Sequence, residues 1–336
     1  MEGKVIDIHI HIGGPGDEPS SGCFFSEKFI WSPAFLAMLI VTNSIFKKVT
    51  TKSIRRKIVG VINSSKRIDK GVLLALDMPH NENGDPLPNF THLYTPNNYI
   101  ISLSKNNPKV LFGASIHPYR KDSIDEIERC IKEGAVLCKW IPSSQLIDPS
   151  HPKCIPFYKK LSEKNLPLLC HTGPEHAVPT SIPEYSKYDN PIYLRKALEM
   201  GVTVISAHCS TPYFGPLDPD YFDDFLSLMK ESEKKGWRLF GDISALATPF
   251  RIPYVRRIKD EIPPKKLIFG SDYPIPISDL SYSKNRRDIL TIIKLMLKAK
   301  FTNSLDKYYH IVKDEMGFEE SVFENFYGLM KEINRD

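Results

Sequence analysis

Val5-Ile6-Asp7-Ile8-His9-Ile10-His11-Ile12-Gly13-Gly14 is the stretch on which the reading of the fold turns. Its length and β-branched content are those of a buried strand, and it ends in a glycine pair. Residues two apart on a strand share a face, so His9 and His11 project together, as a chelating pair does. Asp7 lies deeper on that face and is read as a structural hydrogen-bonding group.

Seven further apolar runs follow at intervals: Val72–Leu76, Val110–Ile116, Ala135–Ile141, Leu166–Cys170, Val202–Ala207, Leu239–Ile243 and Leu267–Gly270. Such runs suit parallel strands covered by helices on their outer side. Segments such as Ile124–Glu133, Phe157–Asn165, Ile192–Met200 and Tyr221–Lys235 carry helical spacing, and Gly134, Gly201 and Gly236 sit where helix C-terminal caps belong. Eight strand–helix repeats predict an α/β fold, a closed (β/α)8 TIM-type barrel forming a single domain over 1–336. A doubly wound open sheet is the competing arrangement. No G-x-G-x-x-G follows a strand, and Gly13-Gly14-Pro15-Gly16 lacks that spacing, which weighs against it.

Two segments exceed the plain barrel. Residues 14–71 form an insertion after the first strand, with an apolar part, Phe29–Phe46, followed by Lys47, Lys48, Lys52, Arg55, Arg56 and Lys57. It is read as a lid or homodimer element with a solvated basic face rather than a membrane-surface helix. Residues 284–336 are expected to form C-terminal helices packed outside the barrel.

With 336 residues, 41% of them hydrophobic, the chain can bury a large core. A net charge of +5 is too mild to point to nucleic acid. The clean apolar run Pro33–Val41 is far short of a membrane span, and the N-terminus lacks a secretory apolar region. Six cysteines without a C-x-x-C pair suggest buried, reduced thiols and a cytoplasmic location.

The chemistry-bearing residues gather at strand ends. The first strand ends with His9 and His11, the fourth holds Lys139, the fifth ends at His171, the sixth at His208 and the eighth at Asp272. A closed parallel barrel opens all these ends on one rim. Imidazoles plus a carboxylate suit Zn2+, and also accept Mn2+ or Fe2+. His117, Arg120, Trp140 and Tyr273 are candidate substrate-binding residues near the same rim, and Arg251 hints at an anionic or polar substrate. His80 and His176 are weaker rim-loop candidates, and His92, His151 and His310 are ordinary.

VIDIHIHIGG, CKWIP, LLCHTG, ISAHCS and IFGSDYP together resemble the strand-end motifs of the amidohydrolase superfamily, in its amidohydrolase-related branch of hydrolases and decarboxylases. The resemblance runs from Lys4 to about Pro276 and leaves out the insertion and the C-terminal helices. It implies that His9, His11 and His171 bind metal, that Asp272 binds the metal or faces its water, and that His208 is a second-metal ligand or an acid/base group. It leaves Lys139 either carboxylated, bridging two metals, or free and bound to a substrate carboxylate; one or two metals per chain follow accordingly.

The leading expectation is a metal-dependent hydrolase acting through a metal-activated water on an amide, ester or lactone of a small molecule, with Asp272 and His208 as the catalytic pair. A non-oxidative decarboxylase of an aromatic or unsaturated acid is the alternative. A barrel that binds a metal or ligand without turnover is the third reading; the rim set weighs against it, because mere binding has no use for a base opposite a metal.

Overall fold

The computed structural model describes residues 3–276 and 303–336. Eight parallel strands run in sequential order: β1 Ile6–His11, β2 Lys70–Leu74, β3 Val110–Ala114, β4 Ala135–Trp140, β5 Leu168–Cys170, β6 Val204–Ser206, β7 Leu239–Asp242 and β8 Leu267–Ile268. All eight expected strands are present, most of them shorter than their apolar runs. The sheet curls until its ends meet. Ile8 N–H donates to Phe269 O at 3.2 Å, Asp272 N–H to His9 O at 2.8 Å, and His11 N–H to Tyr273 O at 2.8 Å. These bonds between the first and last strands close the TIM-type barrel.

Helices fill the crossovers: α1 Pro33–Val41 and α2 Thr51–Ser64 after β1, then α3 Asn97–Asn106, α4 Ser123–Lys132, α5 Cys154–Glu163, α6 Arg195–Glu199, α7 Phe222–Lys235 and α8 Ile252–Glu261 after β2 to β7 in turn. Gly134, Gly201 and Gly236 take φ of 97°, 83° and 69°. That left-handed conformation ends a helix and is costly for any residue with a Cβ. Beyond β8, α9 Ser304–His310 and α10 Glu320–Lys331 pack outside the barrel, with Phe323 and Tyr309 against Phe269. The first part of the expected C-terminal helical segment, 284–302, lies outside the described residues.

The insertion forms α1 and α2, joined to the barrel by a short ribbon pairing Phe24–Phe25 with Leu93–Tyr94. α2 starts with a capping box in which Thr50 and Ser53 bond each other's backbone N–H, satisfying two donors a free helix end would leave unpaired. The basic residues Lys52, Arg55 and Arg56 lie on this helix, with Ile58, Val59 and Ile62 on its buried face. α1, Pro-Ala-Phe-Leu-Ala-Met-Leu-Ile-Val, has no polar face. One side buries Phe35 in a triad with Phe25 and Phe29, while Leu36 and Ile40 are exposed. All six cysteines are free and buried. No helix among the described residues is long and apolar enough to cross a membrane.

Candidate metal centre

Asp7, His9 and His11 alternate along β1 with isoleucines that fill the core, so all three point to one side. Only His11 of the three retains solvent contact. The His9 ring is fixed from behind. Its Nδ1–H donates to Asp242 Oδ2 at 2.7 Å, which leaves the Nε2 lone pair facing the barrel mouth. The other Asp242 oxygen accepts His208 N–H at 2.6 Å and Ser244 N–H at 3.1 Å. A wholly buried carboxylate at the end of β7 thereby sets the tautomer of a histidine on β1.

In front of that framework the donors converge. His11 Nε2 is 3.1 Å from Asp272 Oδ1 and 3.1 Å from His9 Nε2, and His9 Nε2 is 3.4 Å from the same carboxylate oxygen. Zinc bonds of roughly 2.0–2.2 Å put neighbouring ligand atoms of a tetrahedral site roughly 3.3–3.6 Å apart. The observed spacings match those edges within a few tenths of an ångström, so His9, His11 and Asp272 could hold a divalent cation. His9, His208 and Asp242 form a second cluster. There the 2.7 Å His9–Asp242 contact is a hydrogen bond, shorter than two ligands of one ion would approach.

Asp272 reaches this position because β8 approaches β1 closely. A Cβ on Gly270 would stand 2.9 Å from His9 Cβ, so only glycine fits there. Asp272 itself has φ 64°, and His208, Cys209 and Ser210 have φ of 56°, 48° and 57°. Four non-glycine residues in the left-handed region, each costing of order 1–3 kcal/mol, mark the rim as the strained part of the fold.

Electrostatics follow from burial and neighbours. Burial alone would raise the Asp272 carboxyl, but the His9 and His11 imidazoles and the Arg251 guanidinium outweigh it and hold it below the usual carboxylate range. Burial, then the Lys139 ammonium, pushes His9 well down; burial, then Arg251, does the same to His208. Both rings therefore stay neutral, the form in which imidazole ligates metal. His208 donates from Nδ1 to Ser244 O at 3.2 Å and turns Nε2 toward Asp272 Oδ2 at 3.8 Å. Burial also lowers Lys139, whose Nζ lies 3.1 Å from His9 Nε2, and raises Asp7 to about 7.

The other sequence candidates fare differently. His171 joins neither cluster. Its Nε2 donates to Gly173 O at 3.1 Å and lies 3.3 Å from Glu175 Oε2, while burial pushes the ring down to about 4. Trp140, His117, Arg120 and Tyr273 do not reach the cavity at the barrel mouth. Trp140 follows the inward Lys139 and so points outward, packing on Phe157 and Tyr158 and donating to Ile116 O at 2.8 Å. His117 is sequestered against Gln145 O at 2.9 Å. Arg120 is neutralised by Asp77 and Asp122. The Tyr273 ring is buried beside Asp272 and contributes only its backbone carbonyl to the seam. Asp242 and Glu175 were not foreseen. Asp242 could have been found by the same strand-end rule that found the histidines; Glu175 sits in a loop with no periodic signal.

The cavity, about 510 Å3, has His11, His171, His208 and Asp272 at its inner end and the insertion as its roof. The rim loop Pro174–Val178 forms one wall. Arg251 also lines it. It is buried, stacks over Tyr213 at 5.2 Å, and has no hydrogen-bond partner for Nε and Nη1 among the described residues.

Several solved structures share this fold at low sequence identity. A probable 2-pyrone-4,6-dicarboxylic acid hydrolase from Acinetobacter baumannii aligns with a TM-score of 0.53 at 18% identity, over 94% of this chain and 100% of that one. An uncharacterised TIM-barrel protein from Bordetella bronchiseptica aligns at 0.56 and 13%, over 98% and 99%. A 5-carboxyvanillate decarboxylase from Sphingomonas paucimobilis aligns at 0.53 and 10%, over 98% of each. No curated protein matches by sequence. The amidohydrolase family model matches residues 76–298, two thirds of the chain and six of its eight barrel strands. With the histidine–carboxylate cluster at the mouth of the barrel, that match makes the chain a member of the amidohydrolase family.

Proposed function

We propose that this protein is a metal-dependent hydrolase that cleaves an amide, ester or lactone of a small molecule. The observation that carries the reading is the convergence of His9, His11 and Asp272 at ligand spacing, with His11 and Asp272 on the floor of a cavity and His9 directly behind them. Two imidazoles and a carboxylate favour zinc, ahead of Mn2+ and Fe2+. Such a cation, when bound, supplies Lewis acidity toward a water and a carbonyl oxygen.

The residues supply the rest. Asp272 is ionised, with Oδ1 turned to the two histidines and Oδ2 to His208. The second oxygen is placed to accept a proton from the attacking water and return it to the leaving group. Neutral His208, protonated on Nδ1, presents its Nε2 lone pair beside that carboxylate, 3.8 Å away, as a second proton acceptor or a metal ligand. Arg251 offers two unpaired donors to an anionic part of the substrate. Lys139, buried beside His9, serves either as a carboxylated ligand for a second cation or as a free amine facing the substrate.

The same unpaired guanidinium also favours a second reading, a non-oxidative decarboxylase whose substrate carboxylate is anchored at this floor. The test is a metal count on protein purified without chelators. A panel of lactones, esters, amides and aromatic acids is then assayed with that metal, following both hydrolysis and carbon dioxide release. Hydrolysis lost in Asp272→Asn supports the first reading, and carbon dioxide release supports the second. A metal-free protein that gains no activity with Zn2+ or Mn2+ refutes both.

A further inference from the structure

The barrel supplies a metal floor and one buried arginine, yet most of the cavity wall is neither. A single carbonyl and its anionic neighbour need only the floor, but the cavity of about 510 Å3 continues from there beneath the insertion. That part is walled by Phe29, Phe35, Met38, Ile58, Leu74 and Ile141, none of which offers a hydrogen bond from its side chain. The phenylalanines are already paired edge-on with one another, at 5.5 Å between the rings of Phe29 and Phe35. The aliphatic remainder, with an adaptable Met38, suits a flexible chain better than a flat one. The one cation remote from the floor, Lys57, is spent on Thr42 O, Asn43 O and Ser44 Oγ and does not make this end polar toward a ligand.

We infer that the substrate is an acyl amphiphile whose unbranched chain lies under the insertion, its anionic group on Arg251 and its scissile carbonyl at His9, His11 and Asp272. The inference rests on the hydrolytic reading for the place of the carbonyl, but its chain-binding part stands apart from turnover. It makes the insertion the element that selects substrate. α1, apolar on every side, contributes Ala34, Ala37 and Met38 to the wall. The family match begins at residue 76, beyond the whole insertion, so the roof of the chamber comes from a portion of this chain that the family pattern does not describe.

The test is calorimetric binding of straight-chain carboxylates, butanoate to dodecanoate, to the zinc-loaded protein. Each added methylene that enters the chamber is expected to tighten binding about fourfold, from about 0.8 kcal/mol per buried CH2, until the chamber is filled. The matched alkyl alcohols, lacking the anion for Arg251, are expected to bind weakly at every length. Met38→Trp, and Ala37→Phe should the first not fold, fills the chamber and is expected to return decanoate to the affinity of butanoate while leaving butanoate unchanged. Affinity that is flat across the series, or a length dependence surviving in both variants, overturns the inference. Length-dependent binding without turnover of any ester, amide or lactone refutes the hydrolytic reading alone. Turnover of short substrates without length dependence refutes the chamber alone.

Discussion

Asp242→Asn perturbs the centre without touching it. In the native site Oδ1 accepts three donors, His208 N–H, Ser244 N–H and Ser244 Oγ–H, and Oδ2 accepts only His9 Nδ1–H. The asparagine oxygen must stay with the three donors, which puts its NH2 against His9 Nδ1. The ring then has to change tautomer, with Nδ1 accepting and the proton moved to Nε2. That is the atom facing His11 and Asp272. A cation must displace this proton or accept a turned ring, and the expected loss is about 10- to 100-fold in affinity, or about 1.4–2.7 kcal/mol. The fold is expected to survive, because the backbone donors keep their acceptor. A competition titration of apo protein with zinc and a chromophoric chelator measures the loss, and urea unfolding of the apo form checks the fold. Zinc affinity equal to that of the wild type in a folded Asp242→Asn would show that His9 Nε2 is no ligand.

Asp272→Asn keeps shape but removes basicity, so kcat on the true substrate is expected to fall about 10²- to 10⁴-fold with part of the metal retained, measured by turnover and metal count. His208→Asn is expected to fold normally and lose a comparable factor; near-normal turnover would return His208 to a packing role. Metal stoichiometry separates the two states of Lys139. Two per chain, both lost in Lys139→Ala, identify a carboxylated bridge; one per chain, with Lys139→Ala raising KM, identifies a substrate contact. Burial holds His9, His117, His171 and His208 below the ordinary imidazole value of 6.5. The unfolded chain therefore takes up protons first as pH falls through 6.5, and the metal-free fold loses about 1.4 kcal/mol per pH unit for each histidine. Asp7, raised to about 7, works in the opposite sense and offsets about one of them. Asp189, raised by burial as well, acts in the same sense as Asp7, so urea unfolding of chelated protein is expected to show lower stability at about pH 5.5 than at about pH 7.5, and a flat profile would contradict it.

The barrel was legible in the sequence because strands covered on both sides must be apolar throughout, and each run ended where a polar rim residue began. His9, His11, His208 and Asp272 came from that rule and do converge at the rim. The failures have equally plain causes. Trp140 follows the inward Lys139 on β4 and so faces the opposite way, and Tyr273 lies past the end of β8, where strand alternation gives no guide to its direction. His117 and Arg120 depend on which partners a loop supplies, and Gln145 and Asp77 lie far along the chain from them. Asp242 ends β7 as plainly as His208 follows β6, but it matched no motif, and its role is visible only once β7 stands behind β1. The chamber was invisible for a related reason. The sequence reads residues 14–71 as a lid or homodimer element, but which of Phe25, Phe29 and Phe35 face a cavity emerges only with the insertion folded over the rim.

The closing seam of the barrel carries a consequence for how the protein is made. Asp272 N–H bonds to His9 O and Ser271 N–H to Asp7 Oδ1, groups more than 260 residues apart in the chain. The residues that join the first strand to the last are thus the proposed metal ligands and their immediate neighbours. During synthesis the His9–His11 pair leaves the ribosome early, at a stage when the chain has no carboxylate to set opposite it. Cation binding of native strength must await nearly the whole polypeptide, and it then draws together the two strands that chain entropy keeps apart longest. A protein arranged in this way acquires its cofactor as the last act of folding, and an incomplete chain cannot hold that cofactor as the finished one does.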